Sequence, residues 1–154
     1  MIRQRGFEIA RGWENKNITL PKRQTKFSAG YDICAAEDII VPPYSLTQTP
    51  TLVPTGLKAY MLDDEVMYIY NRSSNPRKRG LVLPNSVGVI DKDYYGNPEN
   101  DGHFYVQFIN TKERPYLVKK GEAIAQGVFM KYLLTDDDTA SGERRGGFGS
   151  TDTK

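Results

Sequence analysis

The feature that most restricts the fold is a series of short apolar runs separated by proline, glycine and asparagine. Strand-length runs with turn residues between them are typical of an all-β domain. No long window shows the 3.6-residue periodicity of an amphipathic helix. The sequence therefore predicts an all-β fold, with strand-like runs at residues 38–41, 46–53, 65–70, 104–109, 116–118 and 123–134.

One short helix is predicted over residues 75–80, which read NPRKRG. Ser74 or Asn75 can cap its start, because their side-chain oxygens accept hydrogen bonds from the first free amides of a helix. Pro76 suits the first turn, where an N–H group would have no partner in any case, and Gly80 suits the exit.

The 154 residues fit one domain of ordinary size. We assign residues 1–135 to the folded β domain and residues 136–154 to a C-terminal arm. The arm begins with three aspartates and is polar and rich in glycine. Such a composition buries too little apolar surface to fold alone, so we expect a flexible arm.

Composition excludes several classes of protein. Cys34 is the one cysteine and His103 the one histidine, so neither an internal disulfide nor a zinc site built on several of these residues can form. The neighbours of Cys34 are small or apolar, which predicts a buried structural thiol. The net charge of +2 does not support a protein that coats nucleic acid.

No run is long enough to cross a membrane and the first residues lack a signal peptide, so we expect a cytoplasmic protein without membrane or nucleic-acid partners.

The stretch AGYDICAAED contains Asp32, an acid among small residues. An aspartate that caps backbone amides in a turn is the plain explanation for it.

The stretch NRSSNPRKRG follows a strand-like run and opens the predicted helix. Arg72, Ser73 and Ser74 place donors at the helix start, where backbone N–H groups favour an anion. A solvated basic turn is the alternative.

The stretch GVIDKDYYGN places Asp91, Asp93 and Tyr94 between glycines. The two aspartates alternate, so on an extended chain they point to the same side. A carboxylate can hold and deprotonate a water, and a ring can stack on a sugar or base. Asn85, just before this stretch, offers both a donor and an acceptor. A hairpin with polar decoration is the alternative.

Two later stretches carry isolated polar or aromatic residues. Gln126 lies inside an apolar run, where it is either a satisfied core amide or a donor to a ligand. In the arm, Phe148 lies among glycines, and Arg144 and Arg145 precede it. Glycine lets a backbone approach phosphate closely, although a disordered tail is the simpler interpretation.

Read in order, the five stretches resemble the five motifs of the trimeric deoxyuridine triphosphatase (dUTPase) family. AGYDICAAED is similar to the first motif and RSSNPRKRG to the second. PNSVGVIDKDYYG, GEAIAQGVF and RRGGFGST are similar to the third, fourth and fifth. The resemblance covers residues 29–151, nearly the whole chain. It implies an all-β, jelly-roll-like (β-clip) subunit with one short helix, and a homotrimer whose active sites are shared among chains.

The resemblance also implies hydrolysis of dUTP to dUMP and pyrophosphate with Mg²⁺. Asp91 would orient and activate the water that attacks the α-phosphorus, and Asp32 would touch a metal-bound water. Asn85 would read the uracil edge. Tyr94 would lie against the deoxyribose and disfavour a 2′-hydroxyl.

The implied phosphate contacts come from the second and fourth motifs, here Arg72, Ser73, Ser74 and Gln126. The arm would close over the substrate, with a ring stacked on uracil and an arginine at the γ-phosphate. The arm residues that the resemblance places at the substrate are Arg144, Arg145, Phe148, Gly149 and Ser150.

Some residues depart from the family pattern Arg-Gly-x-Gly-Gly-Phe-Gly. Glu143, Arg144 and Arg145 precede the paired glycines, so the sequence does not decide which arginine acts. Asp152 stands where a glycine often follows Ser-Thr. Residues 97–102 lengthen a loop to which the resemblance assigns no role.

Two other functions stay open at this point. A dCTP deaminase of the related fold would release ammonia from dCTP, although the Asp91–Tyr94 pairing favours water attack on phosphorus. A dUTP-gated regulatory protein would use the same cavity and arm to signal occupancy. Tight binding of dUTP without pyrophosphate release would identify it.

Overall fold

The computed structural model describes residues 2–149 and 151–152. Within them the chain forms ten strands and three short helical segments. The helical segments are α1 (Tyr44–Thr47), a π-helical turn (Asn75–Arg79) and a 3-10 turn (Lys92–Tyr94). The strands are β1 (Gly6–Ile9), β2 (Tyr31–Cys34), β3 (Ile39–Val41), β4 (Thr51–Tyr60), β5 (Glu65–Asn71), β6 (Leu81–Val82), β7 (Gly88–Asp91), β8 (Phe104–Asn110), β9 (Tyr116–Val118) and β10 (Ala123–Lys131).

The strands form two four-stranded sheets and a two-stranded ribbon. One sheet has the order β1-β4-β8-β6, the other has the order β2-β10-β5-β7, and β3 pairs with β9. The two large sheets share one apolar core, to which Leu57 and Phe108 contribute from the first sheet and Ile33 and Met67 from the second. Antiparallel sheets packed face to face form a jelly-roll-like sandwich, so the predicted all-β fold is confirmed.

Strand β8 shows how the sequence produces this sandwich. Phe104, Val106 and Phe108 are buried, whereas Tyr105 and Gln107 between them are partly exposed. Alternate residues of a strand point to opposite faces, so the period of two in the sequence becomes one apolar face. Full burial of a side chain such as Phe108 contributes about 2 kcal/mol, which makes this face a main source of stability.

The strand predicted at residues 46–53 is wrong in its first half. The turn α1 occupies that place, and it starts after Pro43, whose carbonyl oxygen accepts the Leu46 N–H at 3.0 Å. Pro43 is the N-cap residue, with φ −53° and ψ 133°, so the helical conformation begins at Tyr44. The Gln48 backbone, in the left-handed region at φ 52°, ends the turn, and β4 begins at Thr51.

The other predicted strands are present with small changes at their ends. Strands β3, β5, β8 and β9 correspond to the runs at residues 38–41, 65–70, 104–109 and 116–118. Strand β10 ends at Lys131 rather than at residue 134, and the side chain of Leu133 is almost fully exposed. The predicted strand was too long because residues 132–134 are apolar in sequence but do not pair with a neighbouring strand.

The predicted helix at residues 75–80 is present as the π-helical turn. Gly80 leaves it at φ 70°, a left-handed conformation that glycine adopts without strain, as predicted. The capping prediction is wrong, because no side chain caps the first amides. Asn75 is instead buried, and its Nδ2 donates to the Ile124 carbonyl oxygen at 2.8 Å, which ties the turn to β10.

Cys34 lies at the end of β2 and is partly exposed rather than buried. Its partial burial, followed by the nearby Asp32 carboxylate, raises the pKa of the thiol. The predicted burial of Cys34 is therefore wrong, although the raised pKa lowers its thiolate fraction. Within residues 2–149 and 151–152, no helix has the length and apolar character that a membrane crossing requires.

His103 is buried between two aromatic rings. Its ring centroid lies 5.1 Å from that of Trp13 and 4.4 Å from that of Tyr105. Its Nε2 accepts the Gly56 N–H at 2.9 Å, so the hydrogen bond requires an unprotonated nitrogen. Burial lowers the pKa of His103 to about 4. The imidazole therefore acts as a neutral acceptor that joins the start of β8 to β4.

We predict that His103 makes the protein less stable in acid. Its folded-state pKa of about 4 lies below its ordinary value of 6.5, so the unfolded chain takes up this proton more readily. The free energy of unfolding should fall as the pH drops from about 6.5 towards about 4, and His103→Gln, which keeps an acceptor but does not titrate, should flatten that fall. Urea unfolding across this range measures it. Identical pH dependence in the two proteins would contradict the prediction.

Candidate active site

Strand β7 builds one part of the candidate site. It pairs with β5 so that Gly88 lies opposite Ile69 and Asp91 opposite Val66. Beside β7 is a cavity of about 210 Å³, which we call the β7 cavity. Its walls include Leu83, Asn85, Ile90, Asp91, Tyr94 and Phe148. A largely apolar cavity with a few convergent polar groups is the usual form of a small-molecule site.

Arg144 of the arm bridges the two aspartates at the rim of this cavity. Its Nη2 donates to Asp91 Oδ2 and its Nε to Asp93 Oδ1, each at 2.7 Å. Its Nη1 donates to the Gly146 carbonyl oxygen at 3.1 Å, which fixes the turn of the arm. The two carboxylates meet at one guanidinium, but Asp93 lies in the 3-10 turn Lys92–Tyr94 and not on the extended chain from which the common side was predicted. Asp91 remains about half exposed, with 49% of its side-chain surface accessible, so water can reach it.

Tyr94 is buried below the arm and held by its hydroxyl group. The hydroxyl donates to the His103 carbonyl oxygen at 2.9 Å and accepts from Asn100 Nδ2 at 2.7 Å. Burial is the main cause that raises the pKa of Tyr94. Gly147 crosses the ring so closely that a Cβ there would lie 2.8 Å from Tyr94 Cε1. The ring is therefore a fixed surface against which only a glycine backbone fits.

Phe148 and Asn85 stand at the mouth of the β7 cavity. Phe148 is 68% exposed, and its ring centroid lies 6.5 Å from that of Tyr105. Asn85 is exposed on the turn before β7, where its carbonyl oxygen accepts the Val87 N–H at 2.7 Å. Its exposed side chain lines the cavity, and the uracil contact remains a prediction.

The other arm residues fall into two groups. The Arg145 side chain is exposed, and its carbonyl oxygen accepts the Glu99 N–H at 3.2 Å. Gly149 is exposed beside Phe148, with φ 87°. Ser150, also predicted at the substrate, lies outside the described residues.

A second group of predicted site residues lies at the far end of the β2-β10-β5-β7 sheet. Arg72 Nη1 donates to the Ala123 carbonyl oxygen at 3.0 Å, and the exposed Ser73 follows it. Gln126 Nε2 donates to the Asn71 carbonyl oxygen at 3.1 Å, which uses one of its two donor hydrogens within the sheet. We call this group the phosphate cluster after the role that the motif resemblance predicts for it. It comprises Asp32, Arg72, Ser73, Ser74 and Gln126.

Within one chain the phosphate cluster and Asp91 are far apart. Asp91 pairs with Val66, whereas Arg72 follows the other end of the same strand. A strand rises about 3.3 Å per residue, so the six steps between Val66 and Arg72 separate the two groups by roughly 20 Å. One chain thus brings together the residues of the third and fifth motifs but does not bring them to the phosphate cluster.

Sequence reasoning gave no role to three residues that the structure brings to these sites. Asp93 shares Arg144 with Asp91, and its alternation with Asp91 was the available signal. Arg79 donates to Ser74 Oγ at 3.1 Å and to the Tyr116 hydroxyl at 3.1 Å. Asn100 holds the Tyr94 hydroxyl, and only its place in the unexplained loop marked it beforehand.

Comparison with known families decides the relationship of this chain to other proteins. A family model described as dUTPase matches residues 16–152. This chain belongs to the dUTPase family. The match includes the β7 cavity, the phosphate cluster and the described part of the arm, so the dUTPase resemblance of the motifs is confirmed.

Individual dUTPases support the same placement. The chain is 54% identical to the deoxyuridine 5′-triphosphate nucleotidohydrolase of Lactococcus lactis over 149 residues, covering 96% of this chain and 97% of that protein. It is 34% identical to the enzyme of the same name from Desulfitobacterium hafniense over 152 residues, covering 94% of each. The crystal structure of the Streptococcus mutans dUTPase superimposes with a TM-score of 0.79 at 50% identity, covering 85% of this chain and 98% of that one.

We predict that Arg144 holds the arm in place when no substrate is bound. Arg144→Gln removes the charge from both aspartate contacts and should increase the motion of Gly146 and Gly147. The ¹⁵N relaxation order parameters of these amides should fall from about 0.85 to below about 0.6. Arg145→Gln is the matched control, since that side chain is exposed, and it should change them little. Equal order parameters in wild type and Arg144→Gln would show that the arm is held by other contacts.

Proposed function

We propose that the protein is a dUTP diphosphatase, which hydrolyses dUTP to dUMP and pyrophosphate. The observation that carries this proposal is the half-exposed Asp91 carboxylate at the rim of a cavity with Tyr94 as a wall and Phe148 at the mouth. A carboxylate in that position can orient a water at the edge of a bound nucleotide. Membership of the dUTPase family supports the same substrate.

The β7 cavity would hold the nucleoside. Asn85 would pair with the uracil edge, because its amide carries both a donor and an acceptor. The Tyr94 ring would lie against the deoxyribose, where its fixed position leaves no room for a 2′-hydroxyl. Phe148 would cover the base, as an aromatic ring on an exposed arm can stack on one.

The phosphate cluster would bind the triphosphate. Arg72 offers a planar guanidinium, and Ser73, Ser74 and Gln126 add neutral donors beside it. Phosphoryl transfer depends mainly on positioning and on neutralising charge, so these contacts would supply much of the rate. Arg145 is the arm arginine with an exposed side chain, so it would meet the γ-phosphate while Arg144 remains near Asp91.

A homotrimer would close the gap between the two halves of the site. The separation of roughly 20 Å along β5 means that Asp91 would act with the phosphate cluster of a neighbouring chain. The outer face of the β2-β10-β5-β7 sheet supports such contacts, because Tyr70, Val89 and Met130 are exposed on it around the partly exposed Tyr68. Exposed apolar patches of this kind mark protein interfaces. The arm completes the site by covering it.

Mg²⁺ would be held mainly by substrate oxygens and waters. Among the described residues no three histidine, cysteine or acidic side chains form a metal cage, which fits an ion that keeps its waters and binds phosphates. Asp32 of β2 lies opposite Gln126 of β10. From this position in the phosphate cluster its carboxylate would reach a metal-bound water. The ion would supply charge neutralisation on the triphosphate.

In the proposed mechanism Asp91 accepts a proton from the attacking water. The water is held by Asp91 and aimed at the α-phosphorus, and the leaving group is pyrophosphate. Arg144 Nη2 donates to Asp91 Oδ2 at 2.7 Å before substrate binds, which holds this carboxylate in a defined orientation. The arm then excludes bulk water from the covered site.

We predict that Asp91→Asn keeps nucleotide affinity but loses turnover by at least about a hundredfold, because only the base is removed. Pyrophosphate release should be measured for dUTP, dTTP, dCTP and UTP in wild type and variant, and dUTP binding should be measured by calorimetry. Wild type should strongly prefer dUTP. Undiminished turnover in Asp91→Asn would refute the assigned role, whereas ammonia release from dCTP would support a deaminase. Tight binding of dUTP without pyrophosphate release by wild type would support a regulatory protein.

We also predict that two inactive variants restore activity when mixed. Arg72→Gln damages the phosphate cluster and Asp91→Asn damages the β7 cavity, so each alone should be weak. In randomly mixed trimers about a quarter of the sites would take both intact halves from different chains. Co-refolding the two variants should therefore recover about a quarter of wild-type activity. No recovery from verified mixed trimers would show that both halves belong to the same chain.

A further inference from the structure

The loop of residues 97–102, which we call the asparagine loop, contains a dense polar network. Asn97 is buried, and its Nδ2 donates to the Tyr94 carbonyl oxygen and to Asn100 Oδ1, each at 2.7 Å. Its Oδ1 accepts the N–H groups of Glu99 at 3.0 Å and of Asn100 at 3.1 Å. Buried amides with all these bonds made fix a single loop conformation.

Asn100 extends this network to a proposed substrate-facing group. Its Nδ2 donates to the Tyr94 hydroxyl at 2.7 Å, while its Oδ1 also accepts the Gly102 N–H at 3.0 Å. The Tyr94 hydroxyl in turn donates to the His103 carbonyl oxygen at 2.9 Å. The far end of the Tyr94 ring is thus held from two directions, and its tilt is set by the loop.

The same loop also contacts the arm. The Glu99 N–H donates to the Arg145 carbonyl oxygen at 3.2 Å, next to the point where Gly147 crosses the Tyr94 ring. The asparagine loop therefore touches both the wall of the β7 cavity and the segment that covers it. Simple loop stabilisation would require neither contact.

We propose that Asn100 is a positioning residue that sets the discrimination against a 2′-hydroxyl by holding the Tyr94 ring. This inference rests on the proposed function, in which that ring lies against the deoxyribose. Loss of the Asn100 donor frees one side of the hydroxyl and lets the ring tilt away from the sugar. A displacement of about 1 Å is enough to change rates by orders of magnitude in a well-aligned site.

The decisive variant is Asn100→Asp. It keeps an oxygen for Asn97 Nδ2 and for the Gly102 N–H but replaces the donor to Tyr94 by an acceptor. The single hydroxyl hydrogen of Tyr94 can then bond either to the new carboxylate or to the His103 carbonyl oxygen, so the ring is no longer held from both directions at once. We expect the ratio of kcat/KM for dUTP to that for UTP to fall about tenfold, as expected for one lost hydrogen bond. This ratio is independent of the fraction of folded enzyme, because both substrates meet the same molecules. Pro98→Ala, at an exposed position of the same loop, is the matched control and should leave the ratio unchanged.

A second set of variants tests whether Asn100 acts through Tyr94. In a Tyr94→Phe background, where the hydroxyl is absent, Asn100→Asp should cause no further fall in the ratio. Asn100→Ser, which is too short to reach the hydroxyl, should match Asn100→Asp in the wild-type background. Equal losses for dUTP and UTP, or an undiminished effect of Asn100→Asp in the Tyr94→Phe background, would overturn the proposal.

Binding measurements separate this proposal from the proposed function. If wild type releases no pyrophosphate from dUTP, the proposed function fails by itself. The proposed role of Asn100 is then tested by measuring the ratio of the Kd for UMP to the Kd for dUMP in the same variants. A Kd ratio that falls about tenfold in Asn100→Asp but not in Pro98→Ala would support the positioning role of Asn100. An unchanged ratio in Asn100→Asp would overturn it.

Discussion

Strand β5 is the constraint on which the rest of the site depends. It pairs with β10 on one side and β7 on the other, so one register places Gln126 and Asp91 on the same sheet. Antiparallel pairing with a buried inner face strongly resists a one-residue slip, because a slip would turn every apolar side chain outward. The distance between the phosphate cluster and the β7 cavity is therefore built into the sheet. A site that uses both must draw them from different chains.

The fold could be predicted from the sequence where the signal is local. Strand β8 alternates so clearly that its pattern specifies both strand and buried face. The turn α1 was missed because residues 46–53 are rich in threonine, and the helical preference after Pro43 outweighed that composition. The side chain of Asn75 bonds to Ile124 rather than capping its turn, which depends on a contact 49 residues away along the chain. Such long-range partners leave no local pattern.

The sequence proposes which residues belong to the candidate site, but it does not show how one chain groups them. Motif order points to Asp91, Tyr94 and the arm, all of which line the β7 cavity. Asp91 and Asp93 share Arg144 through the 3-10 turn Lys92–Tyr94 and not through the extended chain that their alternation assumed. The sequence could not show that Arg144, and not Arg145, would bind both carboxylates, because the two adjacent arginines have the same chemistry. It also gave no sign that Asn100 reaches Tyr94, because that contact depends on a loop folded back on itself.

Arg144 and the asparagine loop together suggest why the arm carries two glycines before Phe148. The Arg144 guanidinium forms ion pairs with Asp91 and Asp93. On the other side of the arm, the Glu99 N–H donates to the Arg145 carbonyl oxygen. Between these two attachments the backbone must pass over a ring that cannot move, since its hydroxyl is held at both sides. Any side chain at Gly147 would strike that ring. Gly147 is therefore needed for contact with the Tyr94 ring, whereas Gly146 lies against the Glu99 side chain. The flexibility that both glycines give the free arm comes with these close contacts.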